Sequence, residues 1–249
     1  MLNKILITSI LVFSFNFTQA QYGRNYKEIG FLAGPVFFQS DYGQRNNFDN
    51  YINNNGYNIG VYYYLTPNEN TRSIREYFKL RLDLNFMKSD LKHYGKYVEG
   101  NSVFKNQLKG MRGKTQTLSL GSQIEFYPFR TDDYRRGYRF SPYISFGAQI
   151  NYYDTTAFSL NGPLGNSQTT PTKYLGAYRN EGGSVASIST SIGTRYKLSN
   201  YDALTVDFKA QYYFSDWVDG LNPNRRIYTE NKSNDWSTII NFGYVYYFE

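Results

Sequence analysis

The sequence lacks the residues and segments on which several classes of protein depend. It has no cysteine, one histidine and three methionines, which excludes a disulfide-stapled domain, a cysteine-anchored lipoprotein and the usual zinc sites. Mean hydropathy is −0.59, and no apolar run of about 18 residues follows the first 20 positions, which argues against helical membrane spans. No glycine-rich dinucleotide motif joins a strand to a helix. We therefore predict no metal, no cofactor and no catalytic residue.

The start of the chain has the pattern of a cleaved secretory signal. Lys4 precedes an apolar run over residues 5–15, and Thr-Gln-Ala then supplies the small residues of a cleavage site. The run is shorter than the roughly 20 residues that a spanning helix needs, which disfavours an uncleaved anchor. We expect residues 1–20 to be removed on export, leaving residues 21–249 as the mature chain.

Aromatic and aliphatic residues recur at every second position. Between Phe78 and Phe86 each even-numbered residue is Phe or Leu, with Lys, Arg, Asp or Asn between them. Such alternation places the apolar residues on one face of a β-strand, whereas a helix would scatter them around its axis. The same pattern occurs in seven further segments, near residues 29–37, 59–65, 118–126, 140–152, 186–196, 204–212 and 236–248. The sequence thus predicts about eight strands.

The two faces of these strands indicate which medium each face meets. The polar faces carry mostly Gly, Ser, Thr, Asn and Gln with a few charges of both signs, which suits a narrow lumen rather than a solvated surface. Tyrosines lie near strand ends, at 62–64, 152–153, 212–213 and 246–247, as in interfacial girdles. We predict an all-β fold, a single antiparallel up-and-down transmembrane β-barrel. A secreted or periplasmic β-sandwich is the alternative, since it would also alternate.

The connections between the predicted strands alternate in length. Long polar loops fall near residues 40–56, 89–113, 155–183 and 215–235, and shorter turns near 66–77, 130–138 and 199–203. Barrels of the Gram-negative outer membrane have long external loops and short periplasmic turns, and an even strand number returns both termini to the periplasm. We therefore predict one outer-membrane barrel domain with extracellular long loops and both termini periplasmic.

Ionisable residues on the polar strand faces form one candidate site. The predicted lumen charge network consists of Glu28, Lys79, Arg81, Asp83, Glu125, Arg139, Arg195, Lys197, Asp207 and Lys209. Side chains just fill the interior of an eight-stranded barrel, and buried charges avoid a large cost only when paired. We expect mutually neutralising ion pairs; a proton or solute path is the alternative.

The second long loop and its flanks are basic. The cationic residues are Lys92, Lys96, Lys105, Lys109, Arg112 and Lys114, against Asp90 and Glu99. Charge attraction would suit lipopolysaccharide phosphates or an acidic partner; the alternative is a solvated loop. Nucleic acid is not expected as a partner of an exported barrel.

The single histidine raises the question of enzymatic activity. His93 lies near Ser89 and Asp90 in sequence, and these are the residue types that a lipid hydrolase at the barrel rim would use. A triad is defined by geometry, however, and no hydrolase motif surrounds these residues. We therefore predict that the protein is not an enzyme.

Two stretches resemble a known group of proteins. They are Lys-Glu-Ile-Gly-Phe-Leu-Ala-Gly at 27–34 with Ser-Asp-Tyr-Gly at 40–43, and Gln-Ile-Glu-Phe-Tyr-Pro-Phe at 123–129. They resemble small outer-membrane barrels of the Bacteroidota, PorG-like proteins of type IX secretion or a sister family. The resemblance implies an accessory barrel in a larger envelope complex for protein secretion or outer-membrane protein assembly. Our leading hypothesis is a membrane anchor or interaction subunit in contact with outer-membrane lipid and partner proteins. The alternatives are a small porin or ligand-binding barrel and, third, a lipid-modifying enzyme.

Overall fold

The chain folds into one closed barrel of eight antiparallel strands. The computed structural model describes residues 26–44, 47–66, 74–129, 139–231 and 233–248. The strands are β1 Tyr26–Gln39, β2 Asn55–Thr66, β3 Phe78–Lys92, β4 Met111–Phe126, β5 Phe140–Ser159, β6 Gly183–Lys197, β7 Asp202–Tyr213 and β8 Trp236–Phe248. Each strand pairs with its neighbours in sequence, and β1 closes on β8 with Lys27 opposite Phe248. The predicted fold class is confirmed.

Some predictions concern residues that the structure does not describe. These are the signal at 1–20, the beginning of the mature chain, most of the turn at 66–77 and the turn at 130–138. The periplasmic location of the termini also stays a prediction.

In the residues that the structure describes, helical structure is confined to the connections. Helix α1, Phe48–Asn53, begins where the Asn47 side chain accepts a hydrogen bond from the Asn50 N–H, and α2, Val103–Gly110, follows Ser102 in the same way. Three single 3₁₀ turns lie at Ile74–Tyr77, Thr172–Tyr174 and Thr229–Asn231. Within the described ranges, no helix has the length and apolar content to cross a membrane.

The half of the barrel next to the short turns presents an apolar band outward. Leu120, Phe146 and Ile192 are each more than 60% exposed, although they are among the most apolar side chains of the chain. The band continues on all strands, through Phe31, Ile59, Val61, Leu80, Leu82, Leu84, Leu118, Ile124, Ile144, Ile150, Ile188, Leu204, Val206, Phe208, Phe242 and Tyr244. An apolar girdle of this extent is stable in contact with lipid and not with water.

In the half of the barrel next to the long loops, apolar side chains face inward and polar side chains face outward. Val36, Phe38 and Met87 point inward and are buried, while Asp90 and Asp154 face outward. This is the arrangement of a water-soluble protein, and it indicates that the strands continue beyond the bilayer. The 20 residues of β5 are about twice the length that a transmembrane strand requires.

The first three long loops are therefore shorter than the sequence pattern suggests, while the fourth is nearly as predicted. They span 40–54, 93–110, 160–182 and 214–235, because β3 continues to Lys92 and β5 to Ser159. In these outer segments water, not lipid, surrounds the barrel, so the apolar-outward alternation by which we recognised strands no longer applies.

The four loops pack together as a cap over that end. The Asp41 N–H donates to Asp219 Oδ2 over 2.7 Å, and Tyr174 Oη donates to the Asp41 carbonyl over 3.0 Å. Thr115 on β4 reaches the Val218 carbonyl with its hydroxyl, 2.6 Å away. Apolar cap residues complete the core below them, so the loops are part of the folded structure rather than free segments.

The tyrosine pairs of the predicted girdle divide between the two faces. Tyr152, Tyr212 and Tyr246 face outward, as expected for a girdle, but their neighbours Tyr153, Tyr213 and Tyr247 are buried inside. Adjacent residues of a strand point to opposite faces, so a pair cannot serve the membrane interface with both rings. The girdle interpretation is wrong for the inner member of each pair.

Candidate functional site

A cluster of buried ion pairs crosses the middle of the barrel. The guanidinium of Arg81 on β3 is fully buried and contacts Asp83 at 2.9 Å, Glu125 of β4 at 3.0 Å and Asp207 of β7 at 3.1 Å. Its planar fork of donors suits several carboxylates at once. Lys209 approaches Asp83 from β7, with a separation of 3.5 Å. The Arg81 side chain thereby connects β3 and β4 with β7 on the other side of the bore.

A second group of ion pairs lies nearer the short turns. Arg195 of β6 bonds to Glu28 of β1 and, over 3.1 Å, to Glu125. Lys79 of β3 completes the group with Nζ 2.6 Å from Glu28. Four cations and four carboxylates on the described strands thus neutralise one another, and each is buried. Pairing of this kind offsets the desolvation cost of placing charge in the bore.

The structure separates the ten predicted lumen residues into two sets. Eight belong to the ion pairs described above, whereas Arg139 is exposed just before β5 and Lys197 is half-exposed at the end of β6. These two lie where the polar face meets the short connections, so they reach solvent. Arg139 and Lys197 therefore lie outside the buried ion-pair cluster.

Aromatic rings and amides fill the remaining space around the charges. Arg195 stacks over Tyr64 at 4.1 Å and Arg81 over Tyr62 at 5.3 Å, and Tyr143 donates to Asp207 over 2.8 Å. Sequence reasoning missed this role of the tyrosines. Glycines on the polar faces were the available signal, because Gly193 leaves the space that the Tyr143 ring occupies: a Cβ there would come within 2.4 Å of the ring.

The cap holds His93 in a structural position. Its ring is buried between Tyr42 and Tyr174, with ring centroids 5.2 and 5.4 Å away, and Nδ1 accepts the Gly43 N–H over 2.7 Å. Burial lowers the pKa of His93 to about 3, and the charges of Lys173 and Arg112 add to the effect. A nitrogen that accepts a backbone N–H cannot donate to a carboxylate, as the orienting nitrogen of a triad must.

The same cap contains a buried carboxylate with an altered pKa. Burial raises the pKa of Asp219 well above its ordinary range, and the nearby Asp41 and Asp216 raise it further. The backbone N–H groups of Asp41 and Leu221 donate to its two oxygens, each over 2.7 Å, which opposes the rise. This carboxylate accepts backbone hydrogen bonds that join the first and fourth loops.

The six basic residues predicted as a contact surface divide evenly. Lys92, Arg112 and Lys114 line a cavity of about 390 Å³ on the outer wall of the barrel. Lys105 and Lys109 instead donate to the backbone carbonyls of Glu99 and Gly100. The sixth, Lys96, lies over the ring of Tyr97 at 5.2 Å. Ser89 is buried while Asp90 faces outward, so the two do not share a face with one another.

Three features together define the class of protein: the closed strand order, the apolar exterior band and the bore filled with paired charges. The protein is a small β-barrel with the fold of outer-membrane proteins. The chain belongs to the family described as Domain of unknown function (DUF6089), whose model matches residues 3–249. Among curated proteins, none matches the sequence.

Solved structures with a similar strand arrangement come from several bacteria. Ail, the attachment invasion locus protein of Yersinia pestis, crystallised with the heparin analogue sucrose octasulfate, is 12% identical with a TM-score of 0.45, over 90% of this chain and 99% of that one. Neisserial surface protein A is also 12% identical, with a TM-score of 0.45 and coverages of 89% and 97%. A major outer membrane protein of Thermus thermophilus is 14% identical, with a TM-score of 0.48 and coverages of 89% and 99%. These are similarities of fold at low identity.

Proposed function

We propose that the protein is a non-enzymatic outer-membrane barrel that serves as a membrane anchor or accessory interaction subunit of a larger envelope complex. The observation that carries this proposal is the cross-bore cluster around Arg81, whose guanidinium contacts three carboxylates and is inaccessible to solvent. A pore needs a continuous water path, whereas these side chains occupy the path. The barrel then acts through its outer surfaces.

The cap offers a surface suited to protein contacts. Its hydrogen bonds hold the loops in one arrangement, while Phe48, Val103, Leu160 and Ile227 are each about two-thirds exposed or more. An ordered loop binds at lower entropic cost than a mobile one, because its conformation is fixed before the partner arrives. The resemblance of residues 27–43 to PorG-like barrels supports a complex for protein secretion or outer-membrane protein assembly.

Recovery of partners tests the proposal directly. A tagged barrel would be extracted from native membranes in a mild detergent, beside a variant with Val103→Asp and Leu160→Asp on the cap. We expect wild type to recover a large envelope protein in stoichiometric amount and the variant to lose it. A matched control, Asn106→Asp and Gln168→Asp, should retain it. Recovery of the barrel alone, from cells that express it at native level, would contradict the proposal.

A small porin or ligand-binding barrel is the second candidate, and conductance distinguishes it. Purified protein in planar bilayers should give no steady single-channel current while the Arg81 cluster is intact. Steady currents in wild type would support the porin and end the anchor proposal. A lipid-modifying enzyme is the third candidate; it predicts that His93→Ala changes the lipid A profile of cells, and an unchanged profile would exclude a role for His93 in such chemistry.

A further inference from the structure

A basic cavity lies on the outer wall of the barrel, above the lipid-facing band. Its floor is formed by Leu91 and Gly113, on the adjacent strands β3 and β4. Its walls and rim are formed by Asn53, Asn55, Asp90, Lys92, Tyr94, Arg112, Lys114 and Phe158. At about 390 Å³ the cavity is large enough for a small ligand group.

The cations of this cavity are placed where they repel one another. Lys92 is directly opposite Arg112 in the β3–β4 pairing, and Lys114 lies two residues from Arg112 on the same face. Like charges opposite each other in a sheet are destabilising. Asp90, opposite Lys114, is the only carboxylate among the described residues that line the cavity. Three cations facing one carboxylate leave an excess of positive charge that a bound anion would neutralise.

The donors of these cations are held in place and available. Arg112 Nη1 donates to the carbonyls of Lys109 and Met111, over 2.6 and 2.8 Å, which fixes the guanidinium. Lys92 Nζ lies 4.6 Å from the ring centre of Tyr94, and Lys114 Nζ 5.9 Å from that of Phe158. Within the described part of the chain, neither lysine Nζ forms an ion pair. Both ammonium groups retain donors for a ligand.

The height of the cavity matches the outer edge of a bilayer. Leu118, 47% exposed, is the apolar residue of the band on β4 nearest the long loops, and Lys114 lies four residues before it, on the loop side. Four residues of a strand tilted by about 40° rise roughly 10 Å. The headgroup layer extends roughly 5 to 8 Å beyond the hydrocarbon, and lysine side chains bend toward it. Lys114 therefore lies at the outer edge of the headgroup layer, and Lys92 and Arg112, two residues farther along their strands, lie roughly 5 Å beyond it.

We propose that this cavity binds a phosphate group carried by a lipid headgroup of the surrounding leaflet. Lys92, Arg112 and Lys114 would bind the phosphate oxygens, and guanidinium and ammonium groups both suit that chemistry. Tyr94 and Phe158 flank the position of the headgroup. The inference stands apart from the proposed role in an envelope complex, since it concerns the barrel wall and lipid.

Binding of a phosphorylated glycolipid to the full barrel tests the inference. The barrel would be placed in nanodiscs of phosphatidylcholine containing bisphosphorylated lipid A, and the lipid retained per barrel measured by native mass spectrometry. The variant Lys92→Gln/Arg112→Gln/Lys114→Gln should bind about a hundredfold more weakly, from the usual contribution of each cation near an anionic surface. Added salt should weaken the wild-type binding.

The same loop provides a matched control with an equal loss of charge. Lys96→Gln/Lys105→Gln/Lys109→Gln also removes three cations, but none of them lines the cavity, so its binding should stay within about threefold of wild type. Heat-dependent gel mobility reports whether each variant folds. If the cavity variant does not fold, Lys92→Gln/Lys114→Gln leaves the backbone contacts of Arg112 intact and should still weaken binding strongly.

Three results would overturn the inference. If lipid A binding weakened equally in the cavity and control variants, general charge attraction rather than the cavity would account for the binding. Equal binding of dephosphorylated lipid A would mean that phosphate is not the recognised group. Inorganic phosphate that saturates the cavity in detergent, with no retention of lipid A, would assign the site to a soluble anion instead of a lipid.

Discussion

Removal of Arg81 should be among the most damaging single changes in the bore. Substitution by Met keeps most of the volume but leaves Asp83, Glu125 and Asp207 without their shared cation. Breaking one buried ion pair by removing a partner costs about 3–5 kcal/mol, because an uncompensated charge stays buried. We expect Arg81→Met to lower the free energy of unfolding by at least that amount.

The three carboxylates differ in the partners that they keep when Arg81 is removed. Asp83 keeps Lys209, and Glu125 keeps Arg195 and the Tyr127 hydroxyl. Asp207 has its ion pair with Arg81 and accepts a hydrogen bond from Tyr143. It is therefore the carboxylate most dependent on Arg81. Neutralising it by Asp207→Asn should restore charge balance in the Arg81→Met background.

A double-mutant cycle measures this dependence. Unfolding by urea in lipid vesicles, followed by tryptophan fluorescence, would give the free energy for wild type, both single variants and the double variant. We expect the double variant to be more stable than the sum of the single effects predicts, by about 2 kcal/mol or more, within the range found for groups in one network. Additive effects, within about 0.5 kcal/mol, would show that Arg81 and Asp207 are not coupled and would refute the interpretation of the cluster.

Further predictions concern the exterior, the cap and the packing of the bore. Leu120→Arg should lower the free energy of unfolding in bilayers by about 2–4 kcal/mol, and Gln116→Arg, above the band on the same strand, by less than about 1 kcal/mol; equal costs would contradict the lipid-facing band. The folded-state pKa of His93, about 3, is below its ordinary value near 6.5, so its stabilising contribution is complete above pH 6.5 and declines as pH falls toward 3. Protection factors for the amides of the first loop, which compare each exchange rate with the intrinsic rate at the same pH, should fall as pH falls over that interval, and His93→Asn should remove the dependence; a pH-independent protection in wild type would argue against it. Gly193→Ala should cost about 1–3 kcal/mol in vesicle unfolding, through overpacking against Tyr143, and an unchanged stability would mean that the ring moves freely.

The lipid-facing part of the fold was predictable because lipid imposes a strict pattern. The alternation from Phe78 to Phe86 identified β3, and the same pattern identified the other seven strands. It could not predict the outer part of β5, from Tyr153 to Ser159, where Asp154 and Thr156 face outward and Tyr153 and Ala157 are buried. A change of surrounding medium along one strand reverses the rule that relates sequence to face.

The interior site was predictable in its members but not in its contacts. Strand alternation places Arg81 and Asp207 in the bore, but their approach across it depends on register and barrel width, which spacing along the chain does not encode. The cavity lined by Lys92 and Arg112 could not be predicted from the sequence for a similar reason. Those residues are far apart in sequence, and only the β3–β4 register makes them opposite neighbours.

Pairing of β1 with β8 has a consequence for how the protein is made. Without the final strand, Trp236–Phe248, both β1 and β7 would expose unpaired backbone N–H and C=O groups, each costing several kcal/mol in hydrocarbon. A chain without this strand therefore gains little by entering the hydrocarbon, since closure of the sheet needs the thirteen residues of β8. A chain truncated before Trp236 should therefore fail to form a membrane-inserted barrel.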